Sequence, residues 1–433
     1  MKGARATSGA MEATQATTGD MPVRLATPLT IDRAVSPIRS RDGIHVEAVE
    51  SVQELERLRS PWQALAEAAV EPNVFYEPEQ LLPALRAFGE GRDSVFLFVF
   101  YSDDQRTRVP IGFFPLERRK SFRGFPANLL TAWQHPHAFL NTPLLDARFA
   151  REAWQAACTW ARTDPRGGSL LEFPILLGEG PSYRALIDAV HRESWITYTA
   201  DHFTRAALHP KTKDGDAHLE AALSTGKRKE LRRQRRRLSD QGNLETRTLE
   251  RDGDLEQWIE LFLKLEAAGW KGEACSALLR DEAEASYFRS VCRALFARDR
   301  LNMLGLFLGE TPIAMKCNFR SGDGSFAIKI AYDEAYAKFS PGVLLEIENV
   351  LDAHRRPGLC WMDSCAAPQH PMIDWLWTDR RSIQHILISP GSRRGNLLLA
   401  LFGLLRAIKR SFSRTPNLGA SHDDHDESDQ AQR

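Results

Sequence analysis

The sequence predicts an α/β fold in which helices pack on a mixed sheet. Three observations carry this. Between the two ends, apolar runs with the two-residue period of a strand are interleaved with stretches of helical period. The 433 residues exceed the usual size of one domain, so two are expected. At 43% hydrophobic and 26% charged, the chain can bury a large core beneath an ordinary polar surface.

The elements follow in order. Val52–Ala69 and Phe75–Phe88 have helical spacing, and Ser94–Tyr101 and Val109–Leu116 read as strands. A helix over Arg151–Arg162, a strand over Leu170–Leu176 and a helix over Pro181–Arg192 complete the first half. The second half opens with a strand at Leu244–Leu249 and a helix over Asp254–Ala268, ended by Gly269. Glu282–Ala297 is a further helix. Strands follow at Met303–Leu308, Ile313–Phe319 and Ser325–Tyr332, then a helix near Gly342 and strands near Leu359 and Ile383–Ile388.

One echo joins the halves. Val109-Pro110-Ile111-Gly112 is matched about 200 residues later by Thr311-Pro312-Ile313-Ala314. In each, a strand turns through a polar loop into Pro-Ile-small and a second strand. Two copies of one domain are expected, with a boundary near 200–215.

The ends differ from this middle. Residues 1–42 are rich in Ala, Thr, Gly and Ser, and the first aromatic is Trp62. Such a stretch buries too little apolar surface to offset its ordering entropy, so disorder is expected there, and again over the acidic residues 413–433. The start lacks the apolar core of a signal peptide, and no run is long enough for a membrane span, so a cytoplasmic protein is expected. Net charge is zero, which argues against a globally basic nucleic-acid binder. The six cysteines form no CxxC pair and read as reduced thiols.

Four segments could carry chemistry. Lys227–Arg237 (KRKELRRQRRR) holds eight basic residues and one acid. On a helix, Leu223, Leu231 and Leu238 form a narrow docking seam and the cations fan around it, so an anionic partner is expected. Ser325–Leu344 reads as a strand with Lys329 on its less bulky face, followed by a helix capped at Ser340 with Pro341 at its first position. The backbone N–H groups of Gly342, Val343 and Leu344 would there face an anion. Trp270 and Lys271 follow a helix end, where binding residues are often found. Asp363, in LCWMDSC, lies near a strand end, where it could act as a general base or cap a loop.

Other signals are weak. His135-Pro136-His137 lacks a third metal ligand nearby in sequence and reads as a surface loop. Gly178-Glu179-Gly180 lacks the third glycine of a dinucleotide loop, and there is no GxSxG, HExxH or GxxxxGK[ST]. Leu397–Leu405 leads into Arg406, Lys409 and Arg410, a basic amphipathic pattern that suits a docked helix or peripheral membrane binding.

Read together, the basic helix, LEAAGWKG, the strand–PIA–strand unit, KIAYDEAYAKFSPGVLL and CWMDS resemble the second domain of the cellulose-biosynthesis-type (CelD-like) acetyltransferases of the GNAT superfamily. That branch is similar to the Fem peptidoglycan aminoacyltransferases, which carry two GNAT-like domains in tandem. The resemblance is best over about 215–390. It extends over about 44–200, where WQALAEAAVEPNVFYEPEQLLPAL matches the expected opening.

The resemblance implies two tandem GNAT-like domains, 43–205 and 206–412, the second including the basic helix at 218–240. Each would be a mixed, mostly antiparallel sheet flanked by helices. It implies acyl transfer from acetyl-CoA or another acyl-CoA, without a metal, to an amine or hydroxyl of a saccharide or a cell-envelope or exopolysaccharide precursor. The donor would lie along Ile328 and Ile330 and on Lys338, Ser340, Gly342, Val343 and Leu344. The glycine-rich loop of the family is reduced here to Lys338-Phe339-Ser340-Pro341-Gly342, with one glycine. Asp363, Asp333 and Glu266 are candidate bases, and Tyr332 or Tyr336 the acid. Trp270, Lys271 and Lys329 would meet the acceptor. A Fem-like aminoacyl-tRNA donor, and a non-catalytic protein binding an anionic polymer or a membrane, stay open.

Overall fold

The computed structural model describes residues 43–103, 107–210, 214–268 and 277–413. The expected tails at 1–42 and 414–433, Cys275, and the predicted acceptor residues Trp270 and Lys271 lie outside these.

The first half runs β1 (Ile44–Val49), α1 (Val52–Arg57), α2 (Arg59–Ala68), α3 (Pro78–Phe88), β2 (Ser94–Asp103), β3 (Thr107–Phe122), β4 (Phe125–Ala132), β5 (Leu144–Leu145), α4 (Ala150–Thr163), β6 (Leu170–Leu177), α5 (Pro181–Glu193) and β7 (Ile196–Leu208). The second half runs α6 (Gly215–Ala222), α7 (Thr225–Ser239), β8 (Leu244–Thr248), α8 (Leu255–Ala268), α9 (Glu282–Phe296), β9 (Leu301–Leu308), β10 (Thr311–Ser321) and β11 (Gly324–Tyr332). It ends with α10 (Pro341–Arg355), β12 (Trp361–Asp363), β13 (Asp379–Ser389) and α11 (Arg393–Ser413).

The helix expected over Val52–Ala69 is two. The chain breaks at Leu58, and Pro61, which has no N–H to give, sits in the first turn of α2. The strand near Leu359 shrinks to three residues, while β13 extends the expected one at both ends. The predicted boundary near 205 falls inside β7.

All the strands join one sheet, in the order β1-β2-β3-β4-β6-β13-β7-β12-β11-β10-β9-β8, with β5 beside β3. The order reads as two runs that mirror one another about the β13–β7 pair. Each run takes its innermost strand from the other half of the chain: β13 completes the first and β7 the second. All pairings are antiparallel except β4 with β6 and β11 with β12, one in each run. Helices cover both faces. Phe96, Phe98 and Phe113 meet Trp62 on one face, in a core that continues into α8 and α9. Val95, Val99 and Phe114 meet Trp154 of α4 on the other, and α6, α7 and α10 cover that face of the second run.

The Pro-Ile-small echo has a structural meaning. Pro110 pairs with Phe100 and Gly112 with Val99, so Ile111 is an extra residue in the ladder. Pro312 pairs with Phe307 and Ala314 with Leu306, so Ile313 is extra in the same way. Both are β-bulges, at corresponding strands of the two runs. A proline cannot donate to the ladder, which is why it is tolerated at such a place.

Two features set up the parting of β11 and β12. Their ladder spans only Gly324–Phe326 against Trp361–Asp363. Across it the Trp361 indole lies on Gly324, where a Cβ would come within 2.0 Å of the ring. The ring is fixed by its N–H to Asp323 at 3.0 Å and by Arg381 stacked at 4.2 Å. Gly324→Ala must displace this indole. We expect it to cost about 1–3 kcal/mol, the range for overpacking, measured as a lower denaturant midpoint at unchanged m-value.

Candidate functional site

Past Phe326 the two parallel strands separate, and a cavity of about 200 Å³ opens between them. Ala327–Ile330 of β11 form one wall, and Ser364, Cys365, Ala366 and His370 the other. Lys316 and Glu346 lie at its base.

β11 does not alternate simply along this wall. Ala327 pairs with Asn318 and Lys329 with Cys317, so Ile328 is bulged. The bulge shifts the side-chain parity. Lys329 and Ala331 share the face of Phe326 and Ile328, while Ile330 and Tyr332 join Ala327 beneath α10. The strict alternation expected from sequence, with Lys329 opposite Phe326 and Ile328, is corrected accordingly. Lys329 reaches Glu266 of α8, with Nζ 3.0 Å from Oε1. Glu266 is buried, and its Oε2 accepts the Leu278 N–H at 3.1 Å.

On the opposite face a second ammonium is buried. Lys316 Nζ lies 2.7 Å from Glu346 Oε2 of α10. Glu346 Oε1 accepts from Asn349 at 2.9 Å and from the Trp377 indole at 3.1 Å. The cavity thus has a cation on each face of the sheet. Sequence reasoning missed this pair. Its signal was a charge inside each of two apolar runs, IAMKCNF and LLEIENVL.

The start of α10 stands over Tyr332 and Ile330, and a Cβ on Gly342 would lie 3.3 Å from the tyrosine ring. Pro341 is at the first position, as expected. Ser340 is the cap residue, but with φ of +54° its side chain makes no capping bond. The Leu344 N–H already donates to the Ser340 carbonyl at 3.0 Å. Gly342 and Val343 therefore carry the N–H groups suited to an anion, and Leu344 is corrected out of that role. Lys338 lies just before them, its Nζ 5.1 Å from the Phe339 ring.

The remaining candidates separate. Asp363 is fully buried at the end of β12. Oδ2 receives Arg205 of β7 at 2.7 Å and Arg381 of β13 at 3.2 Å, and Oδ1 receives the Cys365 N–H at 2.9 Å. Burial raises such a carboxyl, but Arg205 and Arg381 outweigh it and hold Asp363 below the usual range. It is an ion-pair centre and a poor proton acceptor, which corrects its reading as a base. Asp333 caps the turn at 334–339 through the Ala335 N–H at 2.9 Å. Tyr336 packs beside the core under α10, and neither residue lines the cavity. Burial pushes the Cys365 thiol up, so it stays protonated.

His135 and His137, expected on a surface loop, are buried between the halves because aromatic rings enclose them. His135 stacks on Phe88 at 5.1 Å, and His137 stacks on Tyr287 of α9 at 5.6 Å. His137 Nε2 lies 3.2 Å from Glu284. Burial, aided by Lys329, pushes its pKa down to about 4, so it is neutral at pH 7. Among the described residues no group of His, Cys, Asp and Glu converges as a metal site.

The basic helix is α7. Leu231 and Leu238 are its buried seam, as expected. Arg228 pairs with Glu220 and Arg235 with Glu348, whereas Lys229, Arg232, Arg233, Arg236 and Arg237 are exposed with no ion-pair partner among the described residues. The helix packs on the turn at 334–339 that leads into α10.

Two predictions follow from this chemistry. Asp363→Ala leaves the buried Arg205 and the part-buried Arg381 without their carboxylate and should cost about 3–5 kcal/mol, read as a large fall in thermal midpoint. For His137 the folded pKa lies below the ordinary 6.5, so its contribution is fully present above pH 6.5 and is lost as pH falls toward about 4. The loss is about 3 kcal/mol. His137→Gln should flatten the midpoint–pH curve over that window.

Residues 225–370 match the family model described as Acetyltransferase (GNAT) domain. No curated protein sequence matches the chain. Among solved structures it is similar to FemX, at 10% identity and a TM-score of 0.51, over 79% of this chain and 97% of that one. It is also similar to the C-terminal domain of a putative lysylphosphatidylglycerol synthetase from Agrobacterium fabrum, at 9% identity and 0.47, over 81% and 95%. A tandem GNAT protein from the clavulanic acid biosynthesis pathway matches at 16% and 0.40, over 80% and 99%. Residues 225–370 hold the parted strands and the start of α10, and their match to an acetyltransferase (GNAT) domain supports an acyltransferase.

Proposed function

We propose that the protein is an acyl-CoA-dependent N- or O-acyltransferase that acetylates a saccharide or a cell-envelope or exopolysaccharide precursor. It would be built as two GNAT-like units, 43–205 and 206–412, of which the second binds the donor. The observation that carries this reading is the parting of β11 from β12 into a cavity beside the start of α10. The residues present fit such a donor. The Gly342 and Val343 N–H groups, at the positive end of the helix, would hold its pyrophosphate, with Lys338 alongside. The β11 wall at Ala327–Ile330 would align its pantetheine arm. Bound there, acetyl-CoA supplies the activated acyl group.

The chain's own residues then manage protons. Glu266 is buried behind Lys329 and does not line the cavity, so it would take the proton that the acceptor amine or hydroxyl sheds by relay through Lys329, as its bond to the acyl carbon forms. The C–S bond breaks, and the departing thiolate takes a proton. His370 lines the cavity, and its Nδ1 accepts the Met372 and Ile373 N–H groups at 3.3 and 3.4 Å. Its Nε2 therefore carries the hydrogen and can donate a hydrogen bond to the departing sulfur, which takes its proton from solvent. Lys329 would also steady an acceptor carboxylate or phosphate.

A second reading, transfer from an aminoacyl-tRNA, draws on the exposed cations of α7 beside the same site. A non-catalytic role in binding an anionic polymer would use those cations too. Salt separates the first reading from the other two. Polymer binding through α7 should weaken steeply with ionic strength, whereas pantetheine binding should not.

Acetyl-CoA should raise the thermal midpoint in a dose-dependent way, and Gly342→Trp, which fills the space over Tyr332, should abolish the rise. No rise with any acyl-CoA would favour the tRNA-dependent or non-catalytic reading. Lys329→Met should lower kcat/KM about a hundredfold without loss of the donor-induced rise.

A further inference from the structure

Among the described residues, six of the seven exposed large hydrophobic side chains lie on or beside one helix, and Leu279 stands apart. Leu397, Leu401, Leu404 and Leu405 are exposed on α11, Leu397 by 70% and Leu404 by 58%. Their spacing sets them on one stripe of the helix. The opposite stripe is already used, since Leu399 and Phe402 pack on Phe122, Leu129 and Tyr198 of the sheet. Helix α11 is thus apolar on two sides, and only one is covered.

Two further exposed apolar residues adjoin it. Phe125, at the tip of the β3–β4 hairpin, pairs with Phe122, whose ring meets Phe402 at 5.2 Å. Ile196 shares a face of β7 with Tyr198, which also meets Phe402.

The surrounding charge is of one sign. Arg393, Arg394, Lys120 and Arg123 are exposed, and with Arg406 they have no ion-pair partner among the described residues. Arg123 lies 5.0 Å and Arg406 6.0 Å from the Phe402 ring, so hairpin and helix form one surface. Residues 393–413 contain no acid. No helix among the described residues is long and apolar enough to cross a membrane.

We propose that α11 and the β3–β4 hairpin tip together dock on an anionic lipid bilayer, with the leucines and Phe125 entering the acyl boundary and the cations meeting the headgroups. An apolar stripe flanked by unpaired cations suits this interface, where apolar burial and attraction to anionic lipid act together. A second copy of the chain would bring like charges face to face, which disfavours that occupant.

The test is co-sedimentation of the full chain with vesicles of phosphatidylcholine alone or mixed with phosphatidylglycerol. Binding to the mixed vesicles only is expected, with at least a tenfold loss for Leu397→Asp/Leu404→Asp and for Arg393→Glu/Arg394→Glu. Both pairs are exposed, and an unchanged thermal midpoint would verify that each variant folds. No binding to the mixed vesicles, or binding that the leucine variant leaves intact, would overturn the proposal. A lipid-free dimer that the leucine variant dissolves would overturn it in favour of self-association. Binding seen only when the chain ends at Ser413 would assign the surface to the acidic residues beyond it.

Discussion

The buried Asp363 carboxylate and its two arginines are the constraint on which the rest depends. Arg205 comes from β7, in the first half of the chain, and Arg381 from β13, in the second. β12, on the other side of β7 from β13, has only three residues, too few to hold its place by ladder bonds alone. The ion-pair centre supplies the missing restraint. Arg205 also donates to the Phe139 carbonyl at 2.8 Å, which ties in the loop bearing His135 and His137. Because the charges are taken out of water, their attraction is strong only while all are present, so the three strands are fixed as a unit. The Cys365 N–H on the same carboxylate holds a turn with φ of +53°, and this turn directs Ser364–Ala366 along the cavity wall. One carboxylate therefore joins the exchanged strands and shapes the site.

Each cavity ammonium is anchored by one carboxylate. Lys316 is held by Glu346, which Asn349 and Trp377 hold in turn. Lys329 is held through Glu266 alone among the contacts above, and a single bulge at Ile328 decides which face it serves. Without that extra residue Lys329 would point toward α10 and the Lys316 side. Both cations would then crowd one face, and the α8 side would have none.

Much of this was legible in the sequence, and the part that was not has a physical reason. Helical and strand periods located most of the long elements, though not β4 or the 13-residue β7, and the pattern around Ser340-Pro341-Gly342 located the start of α10. Those signals are local. The bulges were legible only as an echo, because a repeat of Pro-Ile-small marks a position without stating what it does there. The face of Lys329 was misread since strict alternation fails across a bulge, and a bulge is set by pairing with β10. The role of Asp363 could not be read either. Its partners stand 158 and 18 residues away, and nothing near LCWMDSC announces them. His135 and His137 lie in a loop as expected, but looked exposed because Phe88 and Tyr287, which enclose them, come from distant helices.

The mirrored order raises the question of why a cavity opens in one run and not in the other, since each has one parallel pair that could part. The first run answers it with its own chain. Past Thr131 and Glu172 the ladder of β4 with β6 stops, as that of β11 with β12 does. Here, however, residues 141–142 fill the opening. Asn141 gives its backbone N–H to the Ile175 carbonyl at 2.7 Å and accepts the Ile175 N–H on Oδ1 at 3.1 Å. Thr142 Oγ1 accepts the Leu177 N–H at 3.0 Å. Asn73 locks this plug by donating to the Thr142 carbonyl at 2.7 Å. The edge of β6 that would meet a ligand is thus satisfied internally, and a buried, satisfied edge has nothing to gain from a pantetheine arm. In the second run the loop after β12 is turned along the cavity by the Asp363 centre, and space is left where the first run has a plug. The same fold thereby supplies one rigid wall and one open cleft, with the exchanged strands between them.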